Sequence, residues 1–156
     1  MNSIIQQTSL RIRSGVEDLE VLAHRINEGW AKAEHNADTY YLDSVALNLH
    51  GFYTGLERLF EIIVTNIDGT IPEGENWHQQ LLKQVSKELP KIRPAIISKS
   101  SFLDLNELRG FRHVVRNVYT FNFNPSKIKT IVEKIPDLFS SLKAELTAFA
   151  DFLDDA

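Results

Sequence analysis

The chain has 156 residues, a formal net charge of −4, 43% hydrophobic and 24% charged residues, and no cysteine. Such a composition fits one globular domain, residues 1–156, with enough chain to bury a sizeable core. It excludes a disulfide framework, cysteine-ligated zinc and a cysteine nucleophile, and the acidic balance argues against an all-over nucleic-acid coat.

Helical periodicity runs almost throughout. Apolar residues recur three and four apart from residue 4 to residue 30, through Ile5, Ile12, Val16, Leu19, Ile26 and Trp30. His35 to Asp38 break that pattern, and Asn36 or Asp38 is placed to cap a second helix over residues 39–67. Two long helices with a short polar join predict an antiparallel pair. Gly69, Pro72 and Gly74 mark a loop, and a third helix is expected over residues 77–89. Pro90 and Pro94 bound a connector whose Ala95, Ile96 and Ile97 are expected against the core. Ser101, with Asp104 three residues on, has the spacing of a capping box and opens a fourth helix reaching about Tyr119. Asn124 and Pro125 form a cap with proline at the first helical position, and a fifth helix runs to about Leu153, kinked or split at Pro136. No segment shows sustained period-two alternation, so the expected fold is an all-α bundle of about five helices.

Charge is unevenly placed. Between Glu107 and Glu133 there is no acidic residue, and that interval holds Arg109, Arg112, Arg116, Lys127 and Lys129. A confined basic stripe on an acidic chain is the pattern of a local phosphate-contact site, and also of a solvated helix surface. On a helix at about 100° per residue, Leu108, Phe111, Val115 and Val118 cover a core-facing arc, while Arg109, His113 and Arg116 form a stripe roughly opposite. Arg112 and Asn117 then point apart, and could act on one substrate only with help from another surface, such as a second copy about a two-fold axis.

The run Arg112-His113-Val114-Val115-Arg116-Asn117-Val118-Tyr119 resembles the motif of the HEPN domain, a small helical bundle. That motif is an arginine, a polar residue, a short spacer and a histidine; the HepT toxin branch adds a tyrosine two residues beyond. Arginine, polar neighbour, spacing and tyrosine match, but Asn117 stands at the histidine position. The segment Gly55-Leu56-Glu57-Arg58-Leu59-Phe60 is similar to the second helix of HepT-like proteins, and Leu108-Arg109-Gly110-Phe111 to the approach to their motif. The resemblance implies a metal-independent endoribonuclease without a cofactor, acting as a homodimer on RNA. Its implied partner is a MntA-type nucleotidyltransferase antitoxin that adds AMP to the motif tyrosine, here Tyr119. By position, Arg112 would stabilise charge on the phosphate, and the residue at 117 would transfer the proton. A carboxamide does not titrate near neutral pH, so Asn117 puts that step in doubt, and His113 with Arg109 is the local substitute to weigh. A non-catalytic HEPN module that docks a nucleotidyltransferase or a nucleotide is the alternative.

The other histidines, His24, His35, His50 and His78, are scattered, and neither Glu20–His24–Glu28 nor Asp43–His50–Glu57 has convincing metal-ligand spacing. Gly51 and Gly55 are expected at a close helix contact, and Trp30 and Trp77 in the core or an interface. Tyr119, Phe121 and Phe123 leave the basic helix and could offer stacking surfaces to an RNA base, while the acidic tail from Asp151 to Asp155 is expected to be solvated. The N-terminal run has no basic segment followed by an apolar one, and no stretch approaches the roughly 18–20 apolar residues of a membrane span. A cytoplasmic protein with no membrane partner is expected.

Overall fold

The structure is a computed structural model and describes residues 3–117 and 123–156, with side chains through Phe111 and again from Phe123. The expectations for Tyr119 and Phe121, and for a fourth helix running past Asn117, lie outside the described residues. Among them the chain forms an all-α bundle of five helices: α1 (Ser3–Asn36), α2 (Thr39–Ile63), α3 (Trp77–Val85), α4 (Lys99–Asn117) and α5 (Pro125–Asp154).

Helix α1 continues through His35 and Asn36, and the chain reverses at Ala37, which takes a left-handed φ of 49°. Asp38, not Asn36, caps α2, its Oδ1 accepting from the Tyr40 amide at 2.9 Å. The first two helices are antiparallel, as expected. The tight contacts come from glycines on α1: a Cβ at Gly15 would meet Leu59 at 3.0 Å, and one at Gly29 would meet Val45 at 3.1 Å. Gly51 and Gly55 also face α1, but a Cβ there would sit about a van der Waals distance from Leu22 and Leu19, so they are not what sets the approach.

Helix α5 lies antiparallel to α1. Ser9 donates to the Ala150 carbonyl at 3.4 Å, Arg13 reaches Asp151 at 2.7 Å and Asp154 at 2.6 Å, and Lys143 reaches Glu20 at 3.2 Å. Two carboxylates of the acidic tail pair with Arg13 while staying exposed to solvent, as expected of that end. Asn124 caps α5 through the Ser126 amide at 2.9 Å, with Pro125 in the first turn, as the sequence predicts. The helix is not split at Pro136. That proline is exposed on the outer face of the helix.

The last turn of α2 widens into a π-helical turn over Val64–Asp68, closed by the Gly69 amide on the Val64 carbonyl at 2.9 Å. The turn delivers Asp68 to Arg93, and both side chains are almost fully buried, at 1% and 0% exposure. All five guanidinium donors are used. Nε and Nη2 grip the Asp68 carboxylate at 2.6 and 2.8 Å, Nη1 donates to the carbonyls of Lys87 and Pro94, and Nη2 also reaches the Gln84 carbonyl.

Helix α3 accordingly stops at Val85, four residues before the expected end, because the 84–94 segment wraps around that guanidinium. The Val85 carbonyl accepts from the amides of Ile96 and Ile97, and both isoleucines are buried, as expected of them; Ala95 is exposed. Helix α4 begins at Lys99 with Ser98 as its cap, since Ser98 Oγ accepts from the Ser101 amide at 3.1 Å. Ser101, expected to be the cap, lies inside the helix and donates to Glu145 of α5 at 2.9 Å.

Replacing Arg93 by alanine leaves the Asp68 carboxylate buried without its counter-charge, a defect that typically costs about 3–5 kcal/mol. Urea unfolding of the Arg93→Ala protein is expected to show a loss of that size; a loss under about 1 kcal/mol would show the pair to be dispensable.

Candidate functional site

The basic run occupies the last turns of α4. Leu105, Leu108 and Phe111 are buried, so the core arc drawn from the sequence holds through Phe111. Arg109 is half-buried beside Asn106, one turn back, whose Oδ1 accepts from both Nε and Nη2 at 3.1 Å. The guanidinium is thereby oriented without an ion pair to a described residue. Glu107 pairs with Lys134 of α5, which removes the nearest carboxylate of α4 from the arginine run. Gly110 is exposed, and a Cβ there would meet nothing within 4 Å. A helical glycine with open space beside it, costing roughly 1 kcal/mol of helix propensity, is not explained by packing inside this chain.

The backbone of Arg112, His113, Arg116 and Asn117 continues α4 without a break, while their side chains and Tyr119 lie outside the described residues. Helical register places positions 112 and 117 about 140° apart around the axis. Phe123, which the sequence offered as an exposed stacking surface, is buried at 8% exposure in the core.

A second titratable cluster was not read from the sequence. Glu57 on α2 is 5% exposed at its side chain and lies 2.7 Å from Nδ1 of His78 at the start of α3. The contact is a hydrogen bond between the Glu57 carboxyl group and the imidazole Nδ1. The Trp77 ring lies over that imidazole, with centroids 3.6 Å apart. Glu61 follows one turn after Glu57; burial, and then the Glu57 charge, pushes its carboxyl above the ordinary value, against opposing effects of His78 and Arg58. The available signal was the i, i+4 glutamate pair, but its partner lies 21 residues away in sequence. Glu57 thus pairs with His78 rather than joining Asp43 and His50, and His24 pairs with Glu28 at 3.4 Å on the open surface of α1. Among the described residues no group of three histidine or carboxylate side chains could hold a metal ion, and no helix is long and apolar enough to cross a membrane.

A family model described as HepT-like protein matches residues 44–153, from the second turn of α2 to the end of α5. The chain belongs to the HepT-like family. No curated protein and no solved structure matches it. The family match takes in both the Glu57–His78 contact and the arginine run of α4, and leaves α1 and the α1–α2 turn outside.

Glu61 gives this region a pH signature. A carboxyl whose folded-state pKa is raised contributes stability that is present below its unfolded pKa and lost as pH rises through the folded value. Glu61→Gln is therefore expected to raise the melting temperature at pH 7 and to leave it unchanged at pH 3. An equal shift at both pH values would mean that ionisation of Glu61 is not its source.

Proposed function

We propose that this HepT-like chain is the endoribonuclease component of a HEPN toxin–antitoxin module, working as a homodimer, and that Asn117 leaves this copy impaired. The observation that carries the reading is the coincidence of family membership with the run from Arg112 to Tyr119, whose arginine, polar neighbour, spacing and tyrosine follow the HepT motif. Positions 112 and 117 lie on different sides of one helix, so the reading requires two copies of α4 to face a shared cleft. The open side of Gly110 supports a close approach there.

In that cleft Arg109 and Arg116 contact RNA phosphates, and Arg112 grips the phosphate that becomes five-coordinate. A histidine at 117 would take the proton of a ribose 2′-hydroxyl or protonate the leaving oxygen; an asparagine can only hold the phosphate by hydrogen bonds. His113, paired with Arg109 three intervening residues before it, is one residue short of the family spacing. Neither a metal nor a cofactor is needed. The cognate partner is a MntA-type nucleotidyltransferase that silences the toxin by joining AMP to the Tyr119 oxygen, with pyrophosphate leaving. Asn117 is also the specific observation favouring the second reading, a non-catalytic HEPN module that docks the nucleotidyltransferase or a nucleotide.

Expression of Asn117→His without a partner is expected to arrest growth and degrade RNA, with purified protein gaining about 10²–10⁴-fold in cleavage rate over the asparagine form. Adding Arg112→Ala to that variant is expected to abolish the gain. A restored histidine that brings neither toxicity nor cleavage would overturn the nuclease reading in favour of the binding module.

Incubation with a MntA-type enzyme and ATP is expected to raise the mass of the chain by one or more AMP groups. If Tyr119→Phe is modified to the same extent, Tyr119 is not the acceptor.

A further inference from the structure

At the end of the bundle where α1 turns into α2 and α5 begins, the structure leaves a mostly apolar cavity of about 340 Å³. Trp30, Leu42 and Pro125 are among the residues that line it, together with the acidic Glu34 and Asp38 and the basic Lys129. Trp30 is half-buried, with one part of the indole against the core and the rest lining the cavity. We infer that this cavity seats one unpaired nucleobase of a bound RNA strand, and that it selects bases carrying an exocyclic amino group. The inference rests on the RNA-binding reading above and adds a base-selecting site to it. Trp30, Glu34 and Asp38 precede the residues matched by the family model, so family membership does not bring this site with it.

The chemistry of the lining narrows the occupant. An anion is disfavoured by two carboxylates against one lysine. A small inorganic cation is disfavoured because apolar walls penalise a bare ion, and because Lys129, 4.0 Å from Glu34, already offsets one of the charges. A flat, neutral group with N–H donors along its edge meets neither objection. Its face can stack on Trp30, as bases do on aromatic side chains.

Asp38 spends Oδ1 on the Tyr40 amide, which leaves Oδ2 for another donor. Glu34 is 60% exposed at its side chain and can turn inward. Ionised carboxylates only accept hydrogen bonds, so they suit the amino groups of adenine, cytosine and guanine and meet only carbonyl oxygens on the exocyclic positions of uracil. Outside the cavity, Lys127 of the first turn of α5 is exposed for the strand's phosphates. Residues 118–124 join that point to the arginine-bearing end of α4, which keeps the two within about 28 Å.

The test uses the full-length protein and 5′-labelled hexanucleotides of adenylate, cytidylate or uridylate, with binding read by fluorescence anisotropy at fixed salt. The adenylate and cytidylate strands are expected to bind about tenfold tighter than the uridylate strand. Trp30→Ala should weaken the adenylate strand about tenfold, and Trp30→Phe, which keeps an aromatic face, should recover most of it. Glu34→Gln supplies an amide that can donate as well as accept, and should bring the adenylate-to-uridylate ratio to within threefold, whatever happens to overall affinity through the freed Lys129. Strands that bind with equal affinity, or binding undiminished by Trp30→Ala, would overturn the cavity assignment while leaving RNA binding in place. Failure of every strand to bind would overturn the RNA-binding reading and the cavity with it.

Discussion

The packing of the α3–α4 side depends on one guanidinium cut off from water. Arg93 is fully buried, and a buried charge of that kind is tolerated only when it is paired and every donor is used. Here the pair is Asp68, and the remaining donors go to the carbonyls of Gln84, Lys87 and Pro94. Asp68 is satisfied in turn, because Gln84 Nε2 donates to its Oδ2 at 2.7 Å. One residue thus ties the end of α2, the last turn of α3 and the connector into a single knot. The π-helical turn belongs to that arrangement, because it sets the position of Asp68 at the end of a helix that would otherwise have closed one residue earlier.

From that knot the chain is fixed step by step towards the arginine run. The Val85 carbonyl takes the amides of Ile96 and Ile97, Ser98 starts α4, and Glu145 of α5 accepts from both the Ser98 amide and the Ser101 hydroxyl. The axial position of α4 is therefore set at its first turn by hydrogen bonds from two other parts of the chain. Its rotation is set by Leu105, Leu108 and Phe111 in the core. Since α4 is helical through Asn117, these two constraints determine where the backbone of Arg112 and Asn117 stands. The Glu57–His78 contact adds a second tie between α2 and α3, and its burial means that losing either partner would leave a polar group stranded.

The helices were legible because apolar spacing is a local property, and so were the caps at Asp38 and Asn124, which act within two residues. What the sequence hid were interactions whose partners lie far along the chain. Ser101 has the spacing of a capping residue, but Glu145, 44 residues on, claims its hydroxyl, and the cap moves back to Ser98. Asp68 and Arg93, 25 residues apart, carry no local signal of the pair that folding buries. Glu57 reads in sequence with Asp43 and His50 on its own helix, and its true partner His78 is missed for the same reason. The arginine run was legible as a motif, and its placement on one unbroken helix followed from periodicity; Phe123, read as a possible stacking residue, is instead part of the core.

The same dependence bears on what an asparagine at 117 means under the nuclease reading. The described interactions that place α4 are made at its first turns and along its buried arc through Phe111. A change from imidazole to carboxamide at the end of the helix removes a titrating group while leaving the constraints on the backbone in place. Under the nuclease reading, binding and proton transfer are therefore separable in this chain. On that reading the arginines would attract phosphate through charge that does not depend on position 117, whereas acid–base chemistry would depend on that one side chain and on a second copy of the helix to bring it opposite Arg112. Under the nuclease reading, the family resemblance and the doubt about activity come from different atoms of the same run, and a single substitution at 117 tests one without disturbing the other.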